Sequence, residues 1–148
     1  MTTVIFTPVQ RELVRLVLNR LIPSGGSFPA AGDLGVADHL DGIAEASPAS
    51  RRALLEGFGQ IERAAGHGDG FAALSPEAQD AVLTDVERRH PAFFEALVLH
   101  AYHGYYSHPA VVRLLGIAGP PQPRGHALEP FDPALVEGVG KRRPLYRV

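Results

Sequence analysis

The chain has 148 residues, a hydrophobic share of 45%, no cysteine and a formal net charge of −2. This length and composition are typical of one globular domain with a single core, and the balanced charge excludes the basic surface of a nucleic-acid-binding protein. The absence of cysteine excludes disulfides, thiolate metal sites and cysteine nucleophiles. No apolar run reaches the roughly 18 residues that a membrane helix needs, so we expect no direct membrane insertion.

The first predicted helix begins at Thr7 and Pro8, because a threonine cap followed by proline suits the first turn of a helix. We expect it to end at Pro23, where a proline- and glycine-rich loop begins. Its inner face is predicted from apolar residues at helical spacing, which are Leu13, Leu16, Val17 and Leu21.

The second predicted helix runs from about Asp33 to Ala46. Its inner face is predicted to hold the apolar residues Leu34, Val36, Leu40 and Ile43. Its polar residues Asp38, His39 and Asp41 are predicted to point outward or sideways. For His39 with Asp38 and Asp33 we therefore favour a solvated helix face over a metal site.

The remaining predicted helices each begin at a proline. Ser47 and Ser75 precede the prolines of the third and fourth helices as caps, Pro91 begins the fifth, and a short helical piece follows Pro109. No segment alternates with the period of two that marks a half-buried strand. We therefore predict an all-α fold, a small orthogonal bundle of about five helices.

The composition changes after the last of these helices. Residues 116–148 contain six prolines and five glycines, and a segment of this kind cannot build a core of its own. We predict a helical bundle over residues 1–116 and an extended tail over residues 117–148 that packs on the bundle or on a partner.

Three residues of the fifth helix are candidates for metal binding. His100 and His103 lie one turn apart, and Glu95 lies about a turn and a half before them. Two histidines at this spacing can bind one metal ion, and a carboxylate would add a third ligand. No convincing further ligand is present, so we predict no metal site and keep a metal-dependent enzyme as the alternative. We also predict no catalytic or cofactor-binding residue, since nucleophile elbows, phosphate loops and dinucleotide fingerprints are missing.

The stretch from Phe93 to Gly125 is too aromatic for a linker and too rich in proline and glycine for a plain core helix. Aromatic side chains crowded at a helix end are typical of protein interfaces. The alternative is that the tyrosines simply close the end of the core. We predict a partner interface made of Tyr102, His103, Tyr105, Tyr106, His108, Pro120, Pro121, Pro123 and Arg124.

Several short motifs follow one another in a distinctive order. They are Arg20-Leu21-Ile22-Pro23, Gly35-Val36-Ala37-Asp38, Leu74-Ser75-Pro76, Gly104-Tyr105-Tyr106-Ser107 and Gly119-Pro120-Pro121. Each motif is weak alone. In this order and spacing they resemble the gluconate 2-dehydrogenase subunit 3 family, from Thr7 to about Arg147.

The resemblance implies a non-catalytic small (gamma) subunit that binds and stabilises its partner in a chaperone-like way. The implied partner is a large flavoprotein of the glucose-methanol-choline (GMC) type, which holds FAD and oxidises a sugar or polyol. Through that subunit an electron-acceptor protein would be a further partner. We expect no cofactor in this chain itself, and no haem c because it has no cysteine.

The resemblance also bears on localisation. Many family members carry a twin-arginine export signal on the small chain, whereas this sequence begins almost directly at its first helix. We therefore expect a cytoplasmic complex, with a periplasmic one as the alternative if the partner carries a signal. For function, a stand-alone interaction module with a partner of another class is the remaining alternative.

Overall fold

The computed structural model describes residues 5–66 and 70–116. These ranges contain six α-helices and no strand. The helices are α1 (Pro8–Leu21), α2 (Ala37–Ala46), α3 (Pro48–Ala65), α4 (Pro76–Arg89), α5 (Pro91–Ser107) and α6 (Pro109–Leu114). A short 3-10 helix, Gly70–Ala73, precedes α4. The all-α prediction is confirmed, whereas the predicted tail over residues 117–148 lies outside the described residues.

The three capped helix starts predicted from the sequence are all present. Thr7 Oγ1 accepts a hydrogen bond from the Gln10 amide N–H at 3.3 Å, and the Gln10 side chain accepts one from the Thr7 N–H at 2.9 Å. The hydroxyls of Ser47 and Ser75 each accept an amide N–H at 3.3 Å from the first turns of α3 and α4. Since such a cap contributes about 1 kcal/mol, these boundaries are set by local sequence.

The second helix begins at Ala37 and not at Asp33, so its predicted start was wrong. Gly35 has a φ of +83°, a left-handed conformation that interrupts a right-handed helix. Asp33 is bound to α1 instead, where its amide donates to Asn19 Oδ1 at 3.2 Å and its carboxylate accepts from Arg15 at 2.6 Å. These tertiary bonds hold the segment in turns.

Helix α1 lies in the middle of the bundle, because it packs against α2, α3, α4 and α5. Its buried face is wider than predicted. Val14 and Leu18 are fully buried, whereas Leu16 and Leu21 are only half-buried. The core receives apolar side chains from every described α-helix, among them Leu18, Leu40, Ile61, Val86, Leu97 and Val111.

Asp41 of α2 points into the protein, so the prediction of an outward or sideways position was wrong. The residue is 1% exposed. Its carboxylate accepts hydrogen bonds from the Ile5 amide at 3.0 Å and the Phe6 amide at 3.4 Å, and it forms an ion pair with Arg11. A buried carboxylate needs such partners to offset its lost hydration. Asp41 thereby fastens the chain before α1 to α2.

Candidate functional site: the outer face of α5

Helix α5 is apolar on two opposite sides. Toward the core it buries Leu97, Ala101, Gly104 and Tyr105. On the other side Leu99, Tyr102 and Tyr106 expose 50%, 43% and 50% of their surfaces. At about 100° per residue these three share one face, roughly opposite the buried set, and we call them the α5 stripe. Because exposed apolar patches are common at interaction sites, the α5 stripe is the candidate functional site of the described residues.

The two exposed tyrosines of the α5 stripe support each other. Tyr102 and Tyr106 stack with ring centroids 5.8 Å apart and planes 7° from parallel. Tyr106 also meets the buried Tyr105 edge to face, at 5.3 Å between centroids. Such aromatic pairs add stability beyond the area they bury. The exposed rings are therefore held in place in the free chain, which lowers the entropy lost on binding.

Tyr105 belongs to the core and not to the surface, in contrast to the predicted partner contact. Its side chain is 3% exposed, and its O–H donates to the Pro29 carbonyl at 2.8 Å. Burial, with a smaller effect from Tyr106, raises the pKa of Tyr105, so its hydroxyl remains protonated and able to donate. Tyr105 lies about 60° around the helix from Tyr102 and about 100° from Tyr106, on the side that meets the core. Tyr105 anchors α5 to the loop after α1.

The two predicted interface histidines differ from each other. His103 is exposed beside the α5 stripe. His108 caps α6, because its Nδ1 accepts a hydrogen bond from the Ala110 amide at 3.2 Å. The remaining predicted interface residues lie outside the described ranges, and these are Pro120, Pro121, Pro123 and Arg124.

Sequence reasoning missed three exposed leucines, Leu99, Leu114 and Leu115. The signal for Leu99 was its position one turn before Tyr102 on the same face. An open groove of about 250 Å³ extends between Tyr106 and Leu115. Its other walls come from the loop after α1 and include Ile22, Pro23 and Phe28. Exposed apolar surface therefore continues from the α5 stripe to the end of α6.

The predicted metal candidates do not converge. The ring of His100 lies 6.5 Å from that of His103 and 6.2 Å from that of His39, measured between centroids. Glu95 is exposed, and its position is about 140° around the helix from His100. Among residues 5–66 and 70–116, no three His, Asp or Glu side chains are placed to hold a metal ion.

His39 faces α5 and is half-buried, so its predicted solvated position was wrong. Nε2 of His39 and Nδ1 of His100 are both buried, with no hydrogen-bond partner among the described residues. The adjacent Asp38 pairs with Arg11 instead. Burial, with smaller effects from His100 and His103, lowers the pKa of His39. The packing of α2 against α5 therefore favours the neutral form of the His39 imidazole.

The described helices include none that is both long and apolar enough to cross a membrane. The profile of the gluconate 2-dehydrogenase subunit 3 family matches residues 8–116. The chain belongs to this family. No curated protein and no solved structure matches it. The family match covers residues 8–116 and confirms the resemblance over the helices. The motifs had indicated a longer resemblance, to about Arg147, and the match does not extend that far.

Membership in the gluconate 2-dehydrogenase subunit 3 family gives the chain an accessory role in a dehydrogenase complex. It also implies a dehydrogenase subunit as the partner. An accessory subunit must offer that partner a surface, and the α5 stripe has the composition of one.

Proposed function

We propose that this subunit binds and stabilises, in a chaperone-like way, a large FAD-dependent dehydrogenase of the GMC type that oxidises a sugar or polyol. In this proposal FAD and the hydride chemistry belong to the partner, which passes electrons to an acceptor protein. The small subunit supplies no catalytic residue and no cofactor. Family membership supports the pairing with a dehydrogenase, and the α5 stripe supports a protein as the ligand.

The α5 stripe carries this proposal because its composition is that of an interface core. Tyrosine is enriched and charge is depleted in such cores. Leu99, Tyr102 and Tyr106 provide three apolar anchors within two turns. Glu95 and His103 flank them on the same helix and would lie at the polar rim. Truncating a tyrosine that acts as an interface hot spot costs about 2 kcal/mol or more of binding free energy.

The rest of the bundle holds α5 rigidly in place. Helix α5 packs against each of the other five α-helices in the described part of the chain. Tyr105 ties its C-terminal end to the Pro29 carbonyl. A rigid surface of this kind binds with little rearrangement. The partner would therefore meet stripe residues already in their bound positions.

The function is tested by expressing the large flavoprotein from the same source with and without this chain. Soluble protein, bound FAD and sugar oxidation are then measured. We expect the large subunit to be poorly soluble or low in flavin when alone, and to be rescued by co-expression. A large subunit that is fully soluble, flavin-loaded and active alone, and that does not co-purify with this chain, would overturn the proposal.

The stripe is tested in the same complex with Tyr106→Glu, which places a charge at the centre of the proposed contact. We expect at least about a thirtyfold weaker Kd, because roughly 2 kcal/mol of interface energy is lost. Val9→Glu on α1 is the matched control, since Val9 is an apolar residue that is 75% exposed on another helix. Equal weakening by both changes would place the interface elsewhere.

The predicted tail has a separate test. Deleting residues 117–148 should abolish co-purification if the tail wraps around the partner, as the sequence predicts. Retained binding would refute the wrapping. The α5 stripe would then remain as the proposed contact, so the two predicted contact regions are distinguishable.

A further inference from the structure

His39 of α2 and His100 and His103 of α5 form a cluster that the proposed function does not use. Neighbouring ring centroids lie 6.2 Å apart for His39 and His100, and 6.5 Å apart for His100 and His103. Nε2 of His39 and Nδ1 of His100 are buried without a hydrogen-bond partner among the described residues. A charged imidazole there would lose hydration without gaining an acceptor.

The two helices approach each other closely beside this histidine cluster. A Cβ atom added at Gly104 would lie 2.8 Å from Val36 Cγ1 and 3.0 Å from the Cβ atom of His39. These distances leave little free volume between the helices on this side. A charged imidazole at this contact therefore regains hydration more readily if the helices separate than if the side chains between them repack.

The charges on the neighbouring helices do little to offset a proton on the cluster. The carboxylates of Asp38 and Asp41 on α2 are already paired with Arg11 of α1. On α3, Glu56 is exposed at the rim of a groove that His100 lines, where water and salt screen its charge. On α5, the groups that act electrostatically on His39 are the other two histidines. A second proton would add repulsion between like charges.

We propose that the histidine cluster is a proton-sensitive latch between α2 and α5, closed when the imidazoles are neutral and weakened when one of them takes up a proton. The cluster depends on three side chains from two helices, so the latch is a property of the packed bundle. Because α5 also carries the α5 stripe, we expect acid to weaken partner binding. This last consequence rests on the proposed function, whereas the latch itself does not.

The direction of the pH effect follows from linkage. Because the pKa of His39 is lowered in the folded chain, the unfolded chain binds a proton more readily. The contribution of His39 to stability is full above the ordinary histidine pKa of about 6.5. It decreases as the pH falls below this value and is lost as the pH passes through the lowered pKa. Several carboxylates also have lowered pKa values, among them Asp33 and Asp80, but they titrate at more acidic pH.

The latch is tested by urea unfolding of the full chain without a partner, at about pH 7.5 and about pH 5.5. We expect the unfolding midpoint of the parent chain to fall at the acidic pH. His39→Gln keeps a polar side chain of similar size but cannot take up a proton in this range. We expect it to lose most of the acid-induced fall, and His100→Gln provides a second variant if His39→Gln does not fold.

His90→Gln is the matched control, because His90 lies between α4 and α5 and outside the histidine cluster. It should keep the parental pH dependence. An imidazole titration by NMR should also place the pKa of His39 below the ordinary value in the folded chain. The latch is refuted if both cluster variants keep the parental fall, or if His39 titrates at or above its ordinary pKa. Partner binding is measured separately at neutral pH, so a failed latch leaves the proposed function standing.

Discussion

Helices α1 and α5 both pack centrally in the bundle, yet their outer faces differ. On α1, three arginines pair with carboxylates elsewhere in the chain: Arg11 with α2, Arg15 with Asp33, and Arg20 with Asp80 of α4. On α5, no ion pair occurs among the described residues, and the outer face carries exposed tyrosine and leucine side chains instead. Exposed ion pairs contribute little stability each, but charged groups remain hydrated. Exposed apolar rings, in contrast, are stabilised when a partner covers them and removes them from water.

The difference separates stability from recognition. Loss of the buried contact between Arg11 of α1 and Asp41 should lower the stability of the isolated chain, because that contact is complete within it. Changes on the α5 stripe should leave that stability almost unchanged and alter partner binding. The inner side of α5 should behave like α1. Three substitutions test this division, in order of decreasing expected effect on the free energy of unfolding.

The largest effect is expected for Asp41→Ala. The change leaves Arg11 and the amides of Ile5 and Phe6 without their buried acceptor, so we expect a loss of about 3–5 kcal/mol in urea unfolding at neutral pH. Asp38→Ala is the control, because Asp38 pairs with the same arginine but is 71% exposed. It should cost less than about 1 kcal/mol. Equal losses would mean that burial of Asp41 does not decide the effect.

An intermediate effect is expected for Gly104→Ala on the inner side of α5. The new methyl group would lie 2.8 Å from Val36 Cγ1, and overpacking of this kind costs about 1–3 kcal/mol. Gly42→Ala on α2 is the matched control, since no atom lies within 4 Å of the added Cβ. It should stabilise the chain by about 0.5–1 kcal/mol, because alanine restricts the unfolded backbone. If the two substitutions change the unfolding free energy in the same direction, the close approach of α2 and α5 is contradicted.

The smallest effect is expected for Tyr105→Phe, which removes the 2.8 Å hydrogen bond to the Pro29 carbonyl. The loss should be about 1 kcal/mol of unfolding free energy. Tyr106→Phe, the neighbouring exposed tyrosine, should change it by less than about 0.5 kcal/mol. Thermal or urea unfolding of the two variants side by side measures the difference. If Tyr106→Phe is the more damaging change, the assignment of inner and outer tyrosines is wrong.

The sequence predicted the helices well where their boundaries depend on local contacts. Thr7, Ser47 and Ser75 cap the helices that they were expected to cap, since a cap uses only the next few backbone amides. The start of α2 was wrong because Asp33 is bound by residues of α1. Fourteen residues separate Asp33 from Asn19, and hydrophobic spacing carries no information about such a bond.

The candidate site was predicted in part. Tyr102 and Tyr106 are exposed as expected, whereas Tyr105 is buried. Spacing along a helix shows which residues share a face, but it does not show which face meets the core when a helix is apolar on two sides. The same limit concealed His39, whose neighbour His100 is far away in sequence and adjacent only after α2 packs on α5.

The amino-acid sequence by itself determined the all-α class, the capped helix starts and, through its ordered motifs, the family. These depend on interactions between residues near one another in the chain, or on the order of residues themselves. Only the tertiary structure decided which polar groups are buried and which apolar groups are exposed. Asp41 is buried because Arg11 and two backbone amides are positioned to bind it. The α5 stripe is exposed because the opposite side of the same helix already fills the core.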